Sequence, residues 1–146
     1  MGHIYYKNWV HLIWCTKDRF PFLKSEIRLK VFGHILEKAG EKGYYIDTIN
    51  GYTDHVHVLM SLNPKIAISE AVNIFKGEVS HWLNSEKLTP FHFSWQDGYS
   101  VFSVSESQVD KVRNYINNQE THHKNISYID ELKKILELHI IKFNQN

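Results

Sequence analysis

The sequence predicts an α+β fold: a ferredoxin-like, RRM-like antiparallel sheet with helices on one face, plus a tyrosine-bearing helix and a C-terminal helix. Three features predict it. Apolar, β-forming runs lie at residues 9–15, 44–50 and 54–60. Two longer segments repeat their apolar residues every three or four positions, as helices do. A short run at residues 99–104 then supplies a returning strand, so the order is β-α-β-β-α-β. A length of 146 residues fits one domain, residues 1–146, with a real core.

Each element follows from its residues. Trp9 to Cys15 is almost continuously apolar, as expected for a strand covered on both faces. Lys17, Asp18 and Arg19 form a charged turn punctuated by Pro21. Ser25 can cap a first helix whose Leu29, Phe32, Leu36 and Ala39 share a stripe, with Gly40 and Gly43 at its end. The strand at 44–50 leads through Gly51 into the strand at 54–60, which suggests a hairpin. Ile68, Ala71, Val72, Phe75, Val79, Trp82 and Leu83 mark a second helix over residues 69–84. Trp95 and residues 99–104 are short-strand candidates separated by Gly98. Ser105 with Gln108 has capping-box spacing, and Val109, Val112 and Ile116 form a seam, predicting a third helix that continues to about His122. Ile129, Leu132, Leu136 and Ile140 suggest a final amphipathic helix. The sheet face opposite the first two helices is expected to be open to ligands or a partner.

Composition narrows the function classes. With 42% hydrophobic and 23% charged residues, the chain has the profile of a globular protein and not of a disordered or fibrous one. A formal net charge of +1 argues against attachment to nucleic acid by bulk charge, while leaving room for a local basic surface. The single cysteine, Cys15, excludes an intrachain disulfide and a zinc ribbon. No stretch has the length and apolarity to span a bilayer, and the first residues lack a secretion signal's apolar core, so a soluble cytoplasmic protein is expected.

The chemistry-bearing residues fall into two short motifs. His55-Val56-His57 lies in a strand, where alternation puts both imidazoles on one face, giving half of a divalent-metal site. In Tyr115-Ile116-Asn117-Asn118-Gln119, helical spacing points Tyr115 and Gln119 the same way, with Lys111 one turn before and His122 or His123 one turn after. A phenol with a pKa near ~10 is a poor nucleophile alone, but a cation that polarises a phosphate lowers the demand on it. Gln119 can add an oxygen ligand beside the imidazoles of His55 and His57. Taken singly, each motif also has a bland reading: a satisfied histidine pair, a packing tyrosine, a surface glutamine. Lys17 and Arg19 read equally as a solvated turn or as phosphate contacts.

Together these residues resemble the single-tyrosine HUH transposases of the IS-200/IS-605 insertion-sequence group. His11-Leu12-Ile13-Trp14-Cys15-Thr16-Lys17-Asp18-Arg19 is similar to that family's first strand and basic turn, Asp54-His55-Val56-His57 to its metal motif, and Tyr115 to Gln119 to its tyrosine helix. Order and separation agree over most of the chain. Residues 98–105, the following helix and His122-His123 are similar to a subgroup of bacterial relatives. The resemblance implies that His55, His57 and Gln119 bind Mg2+ or Mn2+. It also implies that Tyr115 cuts single-stranded DNA at hairpin-forming transposon ends, leaving a 5′-phosphotyrosine and a 3′-hydroxyl. Lys17, Arg19 and Lys111 are the DNA-binding candidates. A homodimer joined edge to edge through its sheets is implied as well, with the tyrosine helix drawn from the same chain or from the other. Two other readings fit the residues: a non-catalytic RNA- or DNA-binding module of the same fold, and a domesticated relative acting on repeated chromosomal elements.

Overall fold

The computed structural model describes residues 2–138. Four strands, β1 (Trp9–Cys15), β2 (Tyr45–Gly51), β3 (His55–Ser61) and β4 (Ser100–Ser103), form one sheet in the order β2-β3-β1-β4. All three pairings are antiparallel. Helices α1 (Ser25–Glu41) and α2 (Ile68–Ser85) complete the β-α-β-β-α-β order, and α3 (Val109–Asn117), α4 (Gln119–His122) and α5 (Tyr128–Leu138) follow. The ferredoxin-like α+β reading of the sequence is therefore the observed architecture.

The two central strands serve two cores by simple alternation. Val10, Leu12 and Trp14 of β1, with Val56, Val58 and Met60 of β3, join Val31, Phe32 and Ile35 of α1 and Val72, Phe75 and Val79 of α2 in the main core. The intervening residues face the other way. There Trp9 and Leu59 pack against Val109 and Ile116 of α3, while Ile13 and Phe102 pack against Tyr128 of α5. The face expected to stand open is thus covered by the chain's own last helices.

Several boundaries differ from the sequence expectation, each for a physical reason. The buried stripe of α1 is Arg28, Val31, Phe32, Ile35 and Ala39. Leu29 and Leu36 are 70% and 44% exposed, so the expected stripe is rotated by about one residue. Arg28 hides the true stripe, because its guanidinium is buried, donates to the Leu23 carbonyl at 3.1 Å and lies over the Tyr52 ring. Ser25 is the first helical residue and the N-cap is Lys24, with no side-chain cap bond. The Ser105–Gln108 capping box does not form either. A short 3-10 turn, Glu106–Gln108, precedes α3, and Glu106 accepts from the Trp9 indole. The tyrosine helix does not run on to His122 but breaks at Asn118 (φ −99°, ψ 18°). Of the last helix's expected stripe, Ile129, Leu132 and Leu136 pack as anticipated, and Ile140 lies outside the described residues.

A register shift between Ile46 and Thr48 inserts one extra residue, Asp47, into β2. Ile46 and Ile49 can then both face the main core, while Asn50 stands opposite His57. Gly51 closes the hairpin where the backbones nearly touch. A Cβ built there would collide with the His55 carbonyl oxygen and crowd the Val56 Cα at 3.1 Å. Gly51→Ala should accordingly destabilise the protein by about 2 kcal/mol through local overpacking. Urea unfolding with an unchanged midpoint would show that the hairpin yields freely.

Candidate active site

The second sheet face carries the chemistry. His55 and His57 on β3 are fully buried, and antiparallel register sets β1 alongside them, so that His11 Nε2 lies 2.8 Å from His57 Nδ1. From above, α3 and α4 bring Tyr115 and Gln119, and α5 brings Glu131. Glu131, with a side chain only 1% exposed, is the meeting point. Its Oε1 faces three imidazoles: His57 Nε2 at 3.1 Å, His123 Nε2 at 3.1 Å and His55 Nε2 at 3.4 Å. Its Oε2 accepts from the Tyr115 hydroxyl and from Gln119 Nε2 at 3.1 Å, and lies 3.3 Å from His122 Nε2. Gln119 turns its Oε1 to His55 Nε2 at 3.1 Å.

These contacts set the charges. Burial alone would raise the Glu131 pKa, but the close imidazoles of His123, His55 and His57 outweigh it and hold the carboxyl well below the usual range. For His55 burial opposes the charged form, yet hydrogen bonds and negative charge from Asp54 and Glu131 raise its pKa to about 9. For His57 burial wins, assisted by the neighbouring His55 charge, and the pKa falls to about 4. Burial and then the Glu131 charge push the Tyr115 phenol upward, so the hydroxyl is held protonated.

The donor set fits a divalent metal. Imidazole ligands normally engage their second ring nitrogen elsewhere, which orients the ring. Here His55 Nδ1 meets Asp54 Oδ1 at 2.7 Å, His57 Nδ1 meets His11, and His123 Nδ1 meets the Ile126 carbonyl at 2.7 Å. The free ends of all three rings then converge. Ligand atoms of His55, His57, His123 and Glu131 lie within 4.8 Å of one another.

The structure therefore brings Tyr115, His55, His57 and Gln119 together within one chain. Of the three basic candidates, Lys17 and Arg19 lie outside that cluster and Lys111 lies beside Tyr115. Lys17 and Arg19 are exposed in the turn after β1, next to Thr16, whose N–H donates to the Asp54 carbonyl at 2.8 Å. Lys111 lines a cleft of about 230 Å³ with His11, Val112, Tyr115, Ile135 and Leu138. Sequence reasoning missed His11 as a site residue and missed Glu131 altogether. A signal existed for Glu131, since it stands between Tyr128 and Ile135 on the packed side of α5, where a carboxylate needs a partner.

Residues 4–119 match the model of the family described as "Transposase IS200 like". The chain belongs to the IS200-like transposase family. Two relatives illustrate the distance. ISDra2 transposase TnpA of Deinococcus radiodurans is 31% identical over 124 residues, covering 81% of this chain and 87% of that protein. The transposase for insertion sequence element IS200 of Salmonella typhimurium is 29% identical over 126 residues, covering 82% and 81%. A crystal structure of a candidate transposase from Deinococcus radiodurans superimposes with a TM-score of 0.64 at 28% identity, over 82% of this chain and 96% of that one. A REP-associated tyrosine transposase bound to a REP hairpin also gives 0.64, over 84% and 73%, and at 13% identity that likeness is one of fold. In this transposase the family match ends at Gln119, so His123 and Glu131 enter the site from beyond it.

What seats Tyr115 can be tested without catalysis. Asn50 Nδ2 donates to the carbonyls of Ile116 at 2.9 Å and Asn117 at 3.3 Å, at the end of the tyrosine helix. In this transposase Asn50→Asp should cost roughly 1–3 kcal/mol, because a donor becomes an anion facing carbonyls at a helix C-terminus. Asn50→Ala should cost less. Equal stability of the aspartate variant and the parent in urea would remove Asn50 from this role.

Proposed function

We propose that this transposase cleaves and rejoins single-stranded DNA at hairpin-forming transposon ends, with Tyr115 as nucleophile. The observation that carries the reading is the meeting of the Tyr115 hydroxyl, Gln119 and the two strand histidines on one buried carboxylate. The phenolic oxygen attacks phosphorus, the bond to the 3′ oxygen breaks, and the products are a 5′-phosphotyrosine and a 3′-hydroxyl. A DNA hydroxyl later reverses the step without ATP, since the ester conserves the energy of the broken bond. The phenol gives up its proton as the new bond forms and the departing 3′ oxygen takes one up, so the exchange is proton-neutral overall, while Glu131 Oε2 fixes the direction of the hydroxyl.

His55, His57 and Gln119 would hold Mg2+ or Mn2+, and when bound the ion supplies Lewis-acid polarisation of the phosphate. Asp54 and His11 orient the two rings. Lys17, Arg19 and Lys111 serve as phosphate contacts on the surrounding surface. DNA as the partner is supported by family membership and by the hairpin-bound relative. The chain acts as one domain in the cytoplasm, as a homodimer. Tyr115 and the histidines of one chain suffice to build each site.

A labelled single strand carrying a transposon end, incubated with magnesium or manganese, should yield a covalent protein–DNA adduct. Tyr115→Phe should reduce it at least ~10³-fold while folding and DNA binding persist. An adduct at parental level on the phenylalanine variant would overturn the assignment, and binding without any adduct would favour a non-catalytic module. His57→Ala should slow metal-dependent cleavage roughly 100-fold. An unaltered rate would take His57 out of the centre.

A further inference from the structure

We infer that His123 and Glu131 are ligands of the same centre as His55 and His57, giving a three-imidazole, one-carboxylate site that takes a first-row transition ion in preference to magnesium. The inference rests on the reading of His55 and His57 as metal ligands and extends it to residues beyond the family match.

Four observations carry it. First, one oxygen, Glu131 Oε1, is the common neighbour of the three Nε2 atoms, at 3.1, 3.1 and 3.4 Å. Two ligands of a shared tetrahedral ion with bonds near ~2.1 Å stand roughly 3.4 Å apart, so these pairs already have the required spacing. Second, His123 has a side chain only 2% exposed, and its Nε2 makes no well-formed hydrogen bond among the described residues although it is aimed at Glu131. Its Nδ1 is engaged by the Ile126 carbonyl at 2.7 Å, which leaves Nε2 as the atom with an unmet requirement. Third, Glu131 sits between Tyr128 and Ile135 on α5, and a carboxylate buried there needs cationic or metal partners. Fourth, the two carboxylate oxygens divide their work. Oε1 faces the imidazoles, while Oε2 is held by Gln119 Nε2 and the Tyr115 hydroxyl.

Ligand chemistry then selects the ion. Magnesium prefers oxygen ligands and keeps much of its water, whereas imidazole suits later first-row ions such as iron, nickel, copper and zinc. Gln119 fits the same arrangement, with Oε1 directed to the centre beside His55 and its amide N–H fixing the carboxylate. His122 does not belong to the ligand set. It is 31% exposed and faces Oε2.

The full chain, free of DNA, should bind one equivalent of Co2+ with a visible ligand-field spectrum. Zn2+ should displace that ion and millimolar Mg2+ should not. Glu131→Gln, which keeps shape and removes charge, and His123→Ala should each weaken Co2+ binding at least ~10-fold. Far-UV circular dichroism controls for folding. Parental affinity in both the Glu131→Gln and His123→Ala variants, with loss only in His55→Ala, would overturn the inference and leave the His55–His57 centre standing. Displacement of Co2+ by magnesium would overturn the selectivity. Failure of Tyr115 to form a DNA adduct would bear on the nucleophile alone, since none of these readouts uses DNA.

Discussion

A buried carboxylate among imidazoles is the constraint on which this structure depends. Removing a charge from water costs several kcal/mol unless partners replace the solvent, and Glu131 finds all of its partners on other elements. It draws on His55 and His57 from β3, Gln119 from α4, Tyr115 from α3 and His123 from the connection before α5. Each contact therefore ties α5 to a different part of the fold. A helix that would otherwise meet the sheet only through Tyr128 and its partly buried apolar neighbours is placed in one position by its charge.

The sheet prepares that position through strict alternation. β3 gives Val56, Val58 and Met60 to the main core and His55, His57 and Leu59 to the opposite face, so one strand is both structural and chemical. Because its apolar half is packed on two helices, the same packing sets the position of His55 and His57. The bulge at Asp47 extends this control to α3. Asp47 accepts a two-pronged contact from Arg113 at 2.8 and 2.9 Å, and that guanidinium holds its carboxyl below the usual carboxylate range. With Ile116 buried on Trp9 and Leu59, the helix bearing Tyr115 is fastened on two sides before any substrate arrives.

Much of this was legible because period-2 and period-3.6 patterns are local. The strand at Trp9–Cys15 coincides with the expected run, and the order of the first six elements follows from spacing, whereas the histidine pair and the tyrosine turn stand out as a site only through the family resemblance. What could not be read was non-local. Arg28 disguised the buried side of α1 because its partners, the Leu23 carbonyl and the Tyr52 ring, are known only once the chain has folded. The break at Asn118 coincides with carbonyls accepting from Asn50, a residue in another strand. The bulge did leave a trace. Ile46 and Ile49 are three residues apart, which in an undistorted strand would put them on opposite faces. Glu131 left one too, as a carboxylate on the packed side of a helix, but its significance depends on the imidazoles of His55 and His57, far away in sequence.

The same electrostatics set the resting state of the Tyr115 phenol. A tyrosine beside an ionised carboxylate keeps its proton, because burial and the negative charge of Glu131 both disfavour phenolate. The hydroxyl is thus positioned but inert. Anything that draws electron density from Glu131, or adds positive charge on its imidazole side, weakens that hold and makes the phenol easier to deprotonate. The carboxylate that assembles the site in this IS200-like transposase consequently also restrains it, and reactivity becomes conditional on what occupies the space between Oε1 and the three rings.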